Sequence, residues 1–364
     1  MCQMNSRTIS ILAVSALLLM AVAAAVPSSD ADSTSFYEGQ LDVNGSKLME
    51  KLEGMFSEAE KNPSDSISVS YAFEKPILLD EGTAESYAKG LVKDVLAAYY
   101  LSDPSPIWLW DLPVSPVSDV DTTSAKTTVT LDGRTVTYDI LISVSFELSV
   151  PDSFRNDPST ETNEILTAIE AVKAELSAYE GSVEDKASSI NDRLRGIASK
   201  TDEEGTVSTI YDALVEGESS SAGVAAAFTA LCRASGMDAV TVAGSVMTGS
   251  DGSMEAGYWN AVLDGESWYA VDCTWNSSTS KNCLMAGVTT EMSFAQSTER
   301  FGSTHSANAS QLGSSLESPQ ISNSGVEWPD ERGFFEKYGM YLFAALVAAI
   351  VVITLLHAVR VGDV

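Results

Sequence analysis

Two stretches carry the side chains that could do chemistry. "SSSAGVAAAF", Ser219 to Phe228, sets three hydroxyls ahead of an alanine-rich apolar run, and "GYWNAVLDGESWYAVDCTWN", Gly257 to Asn276, follows further on. The first offers a nucleophile at a helix start, Ser221, and the second offers a carboxylate, Asp272, of the kind that orients a base. The base itself is missing. A serine hydroxyl is far less acidic than a thiol, so Ser221 needs a strong base within hydrogen-bond reach. Glu255, which could point into the centre from a strand, and His305, which could fold back to it, are the side chains that could refill it. Ser221 also has a simpler use, as the N-cap of the apolar helix that follows it. Asp272 without a histidine becomes a hydrogen-bond acceptor for backbone or for Trp259 and its neighbours.

Metal chemistry is disfavoured. There is no CxxC and no HExxH, and outside the apolar run near the C-terminus the only histidine is His305. No cofactor is expected. Cys232 follows Leu231 on an apolar helix face and reads as a small buried hydrophobe. Cys273 and Cys283 are the expected disulfide.

The elements that position these groups are legible in outline. Tyr87, Leu91, Val95 and Tyr99 form one stripe of a helix over 83–100, which "DPSPIWLWDLP" ends with three prolines while presenting Trp108 and Trp110 as core anchors. In "RTVTYDILISVSFELSV" every even position from Val136 to Val150 is apolar, which predicts a strand with one buried face, entered by a turn at Asp132 and Gly133. Ile67, Val69, Tyr71 and Phe73 alternate in a neighbouring strand. Helices follow over 163–179, with Ile165, Ile169, Val172 and Leu176 on one face, and over 185–199, with Ile190, Leu194 and Ile197. A helix from Ser221 to a stop near Gly236 comes next, then two antiparallel strands around Trp259 and from Trp268 to Asp272, turned at Asp264 and Gly265.

From Tyr211 to Trp275 the chain resembles the transglutaminase-like family of secreted and membrane-anchored prokaryotic proteins. "AGVAAAF" with "SGM" matches the helix and its stop, "YWNAVLDG" the middle strand and "WYAVDCTW" the last. The resemblance implies an α+β, papain-like core, a helix packed on an antiparallel sheet, preceded by a helix/strand N-terminal region. It also implies a triad in which a cysteine at a helix N-terminus gains thiolate character, a histidine is its base and an aspartate orients the histidine. Those three positions fall on Ser221, Gly257 and Asp272, so only the aspartate is kept. The resemblance makes Ser221, Tyr258, Trp259, Asp272 and Trp275 the lining of a remnant cleft for peptide or protein, with a gap beside Gly257 filled by water, Tyr258 or Glu255.

Composition and the two ends complete the expectation. Of 364 residues, 51 are acidic and 21 basic, for a formal charge of −30, which excludes nucleic acid and anionic membrane surfaces as partners. Ile9 to Val26 follows Arg7 and ends in small residues, the order of a secretory signal, with an uncleaved anchor as the alternative. Tyr338 to Val359 lacks Asp, Glu, Lys and Arg and is long enough to cross about 30 Å of hydrocarbon, with Arg360 placing the short tail in the cytoplasm. The expected order is signal at 1–26, helix/strand region at 36–200, transglutaminase-like core at 201–300, flexible tether at 301–333, membrane helix at 338–359 and tail at 360–364. Asn44, Asn276 and Asn308 stand in N-x-S/T sequons. The sequence thus describes a single-pass cell-membrane protein with its body outside, held by its C-terminal helix. It is catalytically inactive and acts by binding or as a surface component. The alternative is an active amide acyl-transferase or a cysteine- or serine-type peptidase with a rearranged centre.

Overall fold

Two antiparallel sheets share one set of helices in the computed structural model. It describes residues 36–328 apart from 62–63, 65, 103–118, 133, 150–157, 178–180, 196, 200–208, 250, 279–282 and 295–296. Trp108, Trp110, the N-terminal apolar segment and the C-terminal run all lie outside the described residues. Among the described residues no helix is long and apolar enough to cross a membrane.

The first sheet has the order β1-β3-β2, from β1 (Ser66–Asp80), β2 (Asp121–Leu131) and β3 (Arg134–Ser149). Helices α1 (Val43–Lys61) and α2 (Ala84–Ser102) cover its inner face. Phe56 of α1 meets Tyr99 of α2 edge to face at 5.0 Å, and Ile67, Val69, Tyr71 and Phe73 of β1 are buried as their alternation predicts. Asp132, at φ 50°, sits in the hairpin between β2 and β3.

The even-numbered face of β3 is where the sequence misleads. Val144, Phe146 and Leu148 point inward, but beyond them the buried residues are Leu141 and Asp139, while Val136 is 48% and Ile142 38% exposed. Ile142 has no partner on either side, because the register passes from Ser143 straight to Leu141 against both β1 and β2. This bulge inserts one residue, and one residue exchanges the two faces of a strand. The break in β1 opposite it, between Ala72 and Ile77, contains Pro76, which has no N–H for the ladder.

Helices α3 (Pro158–Ser177) and α4 (Val183–Leu194) lead into the second sheet. Ser182 and Asp185 close a reciprocal capping box on α4. After a short parallel pair, β4 (Ala198–Ser199) and β5 (Glu218–Ser219), comes α5 (Ser221–Ala234), buried along nearly its whole length. Gly236, at φ 72°, ends it: Gly236 N–H donates to Arg233 and Met237 N–H to Cys232, the paired bonds of a left-handed helix stop. The second sheet runs β11-β6-β7-β8, with β6 (Ala239–Met247), β7 (Met254–Asp264), β8 (Ser267–Val271) and β11 (His305–Ala307), while β9 (Glu291–Phe294) and β10 (Ser297–Arg300) form a separate antiparallel pair. β7 and β8 are antiparallel neighbours turned at Gly265, as the sequence predicts.

The expected tether at 301–333 is corrected over its described first part. Residues 301–325 belong to the same compact unit as the two sheets. The short helix α7 (Phe301–Thr304) leads into β11, Asn308 N–H donates to Ala243, and Asp94 of α2 accepts from the Ser314 hydroxyl and from the N–H and hydroxyl of Ser315. Gln40 and Glu317 exchange two bonds, and Ser322 N–H donates to Trp268. A serine-rich composition resembles a linker, but these serines are hydrogen-bonded into the fold. The bulge also makes a stability prediction. Val136→Thr should cost under about 0.5 kcal/mol and Leu141→Ala about 2–5 kcal/mol in denaturant unfolding, and the reverse order would restore the unbroken strand.

Candidate functional site

Asp272 is the group around which the site is built. Continuing the Asn260–Val271 register by one residue sets it opposite Trp259, two positions from Gly257. Its Oδ1 accepts from Trp275 N–H at 2.9 Å and from the Thr274 hydroxyl at 2.6 Å, so it caps the short helix α6 (Cys273–Ser278). Its Oδ2 faces His305 Nε2 at 3.1 Å. The two side chains are 2% and 0% exposed.

His305 thus meets the aspartate from a different strand than the family pattern requires. Its other nitrogen, Nδ1, lies 2.9 Å from the Thr304 hydroxyl. Nε2 is held by the carboxylate and Nδ1 by that hydroxyl, so both nitrogens are taken. Aromatic rings enclose the imidazole: Phe301 stacks on it at 4.3 Å, Trp259 meets it edge-on at 5.2 Å and Trp275 lies at 5.1 Å.

Two opposed glycines shape this face. Gly244 of β6 pairs with Gly257 of β7. The position of a Cβ on Gly244 lies 2.2 Å from the Ser306 carbonyl and 2.4 Å from the Trp259 ring, so β11 and the indole close over that bare backbone. At Gly257 the position of a Cβ lies 2.6 Å from Val246 Cγ2. The gap expected beside Gly257 does not exist; Val246 fills it, and neither water, Tyr258 nor Glu255 is needed there.

α5 packs on β7 through Asn260. The Asn260 amide donates to the Ala225 carbonyl at 2.8 Å and to the Thr229 hydroxyl at 3.0 Å, so even-numbered side chains of β7 meet α5. Trp259 and Gly257 are on the other face, and His305 and Asp272 meet there. Gly257 and Asp272 are neighbours across β7 and β8, and no side-chain hydrogen bond joins Ser221 to Asp272 or His305. Ser221 is the first helical residue of α5. The N-cap is Ser220, which makes no side-chain cap bond, so the capping role assigned to Ser221 is corrected too.

The residues expected to line a remnant cleft have these surroundings. Trp259, Asp272 and Trp275 are buried, while Tyr258 packs on Tyr100 of α2, ring centroids 6.0 Å apart. The expected disulfide is not formed: Cys273 and Cys283 are buried free thiols, as is Cys232. The Asp272 N–H is bonded to the Cys283 carbonyl. This fixes the backbone between the two elements without a covalent bridge. Burial pushes all three thiols up, and the nearby Asp272 pushes Cys273 and Cys283 further. Among the described residues no group of three or more His, Cys, Asp or Glu could hold a metal ion. Asn276 is buried, with its amide on Asn191 and the Cys283 carbonyl, so its sequon is closed in the folded chain. His305 was legible only as the one histidine outside the apolar run; nothing in its spacing points to Asp272.

Two results should follow from this geometry. Peptide mapping after brief exposure to a thiol reagent should find Cys232, Cys273 and Cys283 unlabelled in the native protein and labelled in denaturant, without prior reduction; a Cys273–Cys283 bridge would leave that pair unlabelled in both. Gly244→Ala should destabilise by about 2–4 kcal/mol, because the methyl meets a carbonyl that cannot move alone. Wild-type stability would mean that β11 does not close over β6.

Residues 170–273 match the model of the transglutaminase-like superfamily, a stretch that begins within α3, upstream of the boundary expected at 201. No curated protein matches the chain. Among solved structures, one described as a TGase is 15% identical over 43% of this chain and 44% of its own, with a TM-score of 0.24. The periplasmic domain of TgpA from Pseudomonas aeruginosa, bound to ethylmercury, is 17% identical over 46% of this chain and 70% of its own, TM-score 0.25. A candidate cysteine protease from Cytophaga hutchinsonii is 12% identical over 57% and 74%, TM-score 0.25. The chain spans less than half the length of the first of these. With the matching helix, middle strand and terminal Asp272 all in place, residues 170–273 are a transglutaminase-like domain.

Proposed function

We propose that the chain is a membrane-anchored, extracytoplasmic protein whose transglutaminase-like domain performs no acyl transfer and works by binding a peptide or protein, or as part of the cell surface. The observation that carries the loss of catalysis is the bonding within the site. Ser221 starts α5 and makes no side-chain hydrogen bond to the Asp272–His305 pair, which is buried with both imidazole nitrogens engaged. A triad needs nucleophile and base in contact. The charge-free run at 338–359 and the signal-like start support the anchoring.

The second reading, a rearranged enzyme, is favoured by one observation: a histidine and an aspartate do meet at 3.1 Å. Turnover decides between the two. The purified protein should neither hydrolyse peptides nor exchange a glutamine amide with an amine, and Ser221→Cys with Gly257→His should not create that activity, since Val246 occupies the space of the new side chain. Activity that disappears in Ser221→Ala or His305→Ala would establish the rearranged centre instead. Topology has its own test. Protease added to intact cells or spheroplasts should remove the body and leave a small C-terminal membrane fragment, whereas a protected body would reverse the orientation.

A further inference from the structure

We propose that residues 301–316 are a strap that seals the Trp259 face of the transglutaminase-like sheet, and that His305 fastens it as an internal ligand in a site that recognises an imidazole ring. This rests on the reading that the Asp272–His305 pair is not catalytic.

The site is polar at both ring nitrogens and aromatic around the ring. Asp272 Oδ2 takes Nε2, the Thr304 hydroxyl takes Nδ1, and Trp259, Trp275 and Phe301 enclose the carbons. Asp272 and Trp275 come from the end of β8 and from α6, Trp259 from β7, and Phe301 and Thr304 from the strap itself. The imidazole is therefore the joint between the strap and the core. Its removal leaves a buried carboxylate oxygen without its donor, which costs more than the lost ring volume alone. The Thr304 hydroxyl has a second place to go, since the Phe301 carbonyl lies 3.1 Å away, so the carboxylate is the group that the loss strands. Beyond His305 the strap stays attached through Asn308 to Ala243 and through Ser314 and Ser315 to Asp94. Loss of the imidazole accordingly loosens the strap locally.

The test is His305→Ala in the full chain, with imidazole added back. The variant should melt about 5–10 °C below wild type and be cut by protease between 301 and 316, where wild type should resist. Millimolar imidazole should restore more than about half of the lost melting temperature and suppress that cut, because a small ligand that binds only the folded state stabilises it by mass action. Toluene fills the volume without donating, and 1-methylimidazole has one nitrogen blocked; each should restore less than about a fifth. Adding Asp272→Asn should weaken the response to imidazole. If His305→Ala fails to fold, the yield of soluble protein on refolding with imidazole against 1-methylimidazole reads the same quantity. Equal rescue by all three ring compounds, or none by imidazole, overturns the recognition site, and unchanged proteolysis overturns the strap. The catalytic question is read separately, from the turnover of wild type and Ser221→Ala.

Discussion

The hydrogen bond from His305 to Asp272 is the interaction on which the second sheet's arrangement depends. Asp272 closes β8, caps α6 and receives the strap, so one carboxylate fixes the relative positions of three elements. Burying it is tolerable because each oxygen has donors: Thr274 and Trp275 on Oδ1, His305 on Oδ2. A buried carboxylate left short of donors would be among the costliest groups in the fold. The aromatic rings around His305 exclude the water that would otherwise serve, and this makes the imidazole's donation obligatory.

The face of the sheet on which this bond lies follows from strand alternation. A strand sends successive side chains to opposite faces, so Asn260 and Trp259 report two different environments one residue apart. Asn260 binds the carbonyl of Ala225 and the hydroxyl of Thr229, and Trp259 stands over Gly244 toward β11. Ser221 and Asp272 are both present in sequence order, yet no hydrogen bond joins Ser221 to Asp272 or to His305, whose nitrogens have other partners. Order of motifs along a chain establishes the fold that carries a site, and the site needs in addition that the side chains point to one place.

This distinction also sorts what could be read from the residues. The helix from Ser221 to its stop, the β7–β8 hairpin, and the buried alternation of Ile67 to Phe73 were legible because each rests on local signals: a glycine stop, a turn, a period of two. The inward face of β3 was not, since a single unpaired residue, Ile142, reverses a period that looks unbroken on paper. The expected tether misled for a related reason. Serines and asparagines are common in linkers, and nothing local shows that Asp94 and Gln40, far back in the chain, supply their partners. The partner of Asp272 lay out of reach by the same logic, because a contact across that sequence separation leaves no periodic trace.

Gly257 shows why the histidine of the family pattern has no easy return to its place. The space that its Cβ would enter is held by Val246, and the backbone opposite, Gly244, is covered by the Trp259 ring and the Ser306 carbonyl. Restoring a histidine at 257 would require Val246 to shrink. For that ring to reach Asp272, the indole would have to move and the His305 imidazole would have to leave, with the strap that carries it. Each of these groups packs on the next, so the substitutions are coupled and not additive. A strap that brings its own imidazole to Asp272 keeps the buried carboxylate satisfied in a transglutaminase-like fold whose position 257 is a glycine packed against Val246.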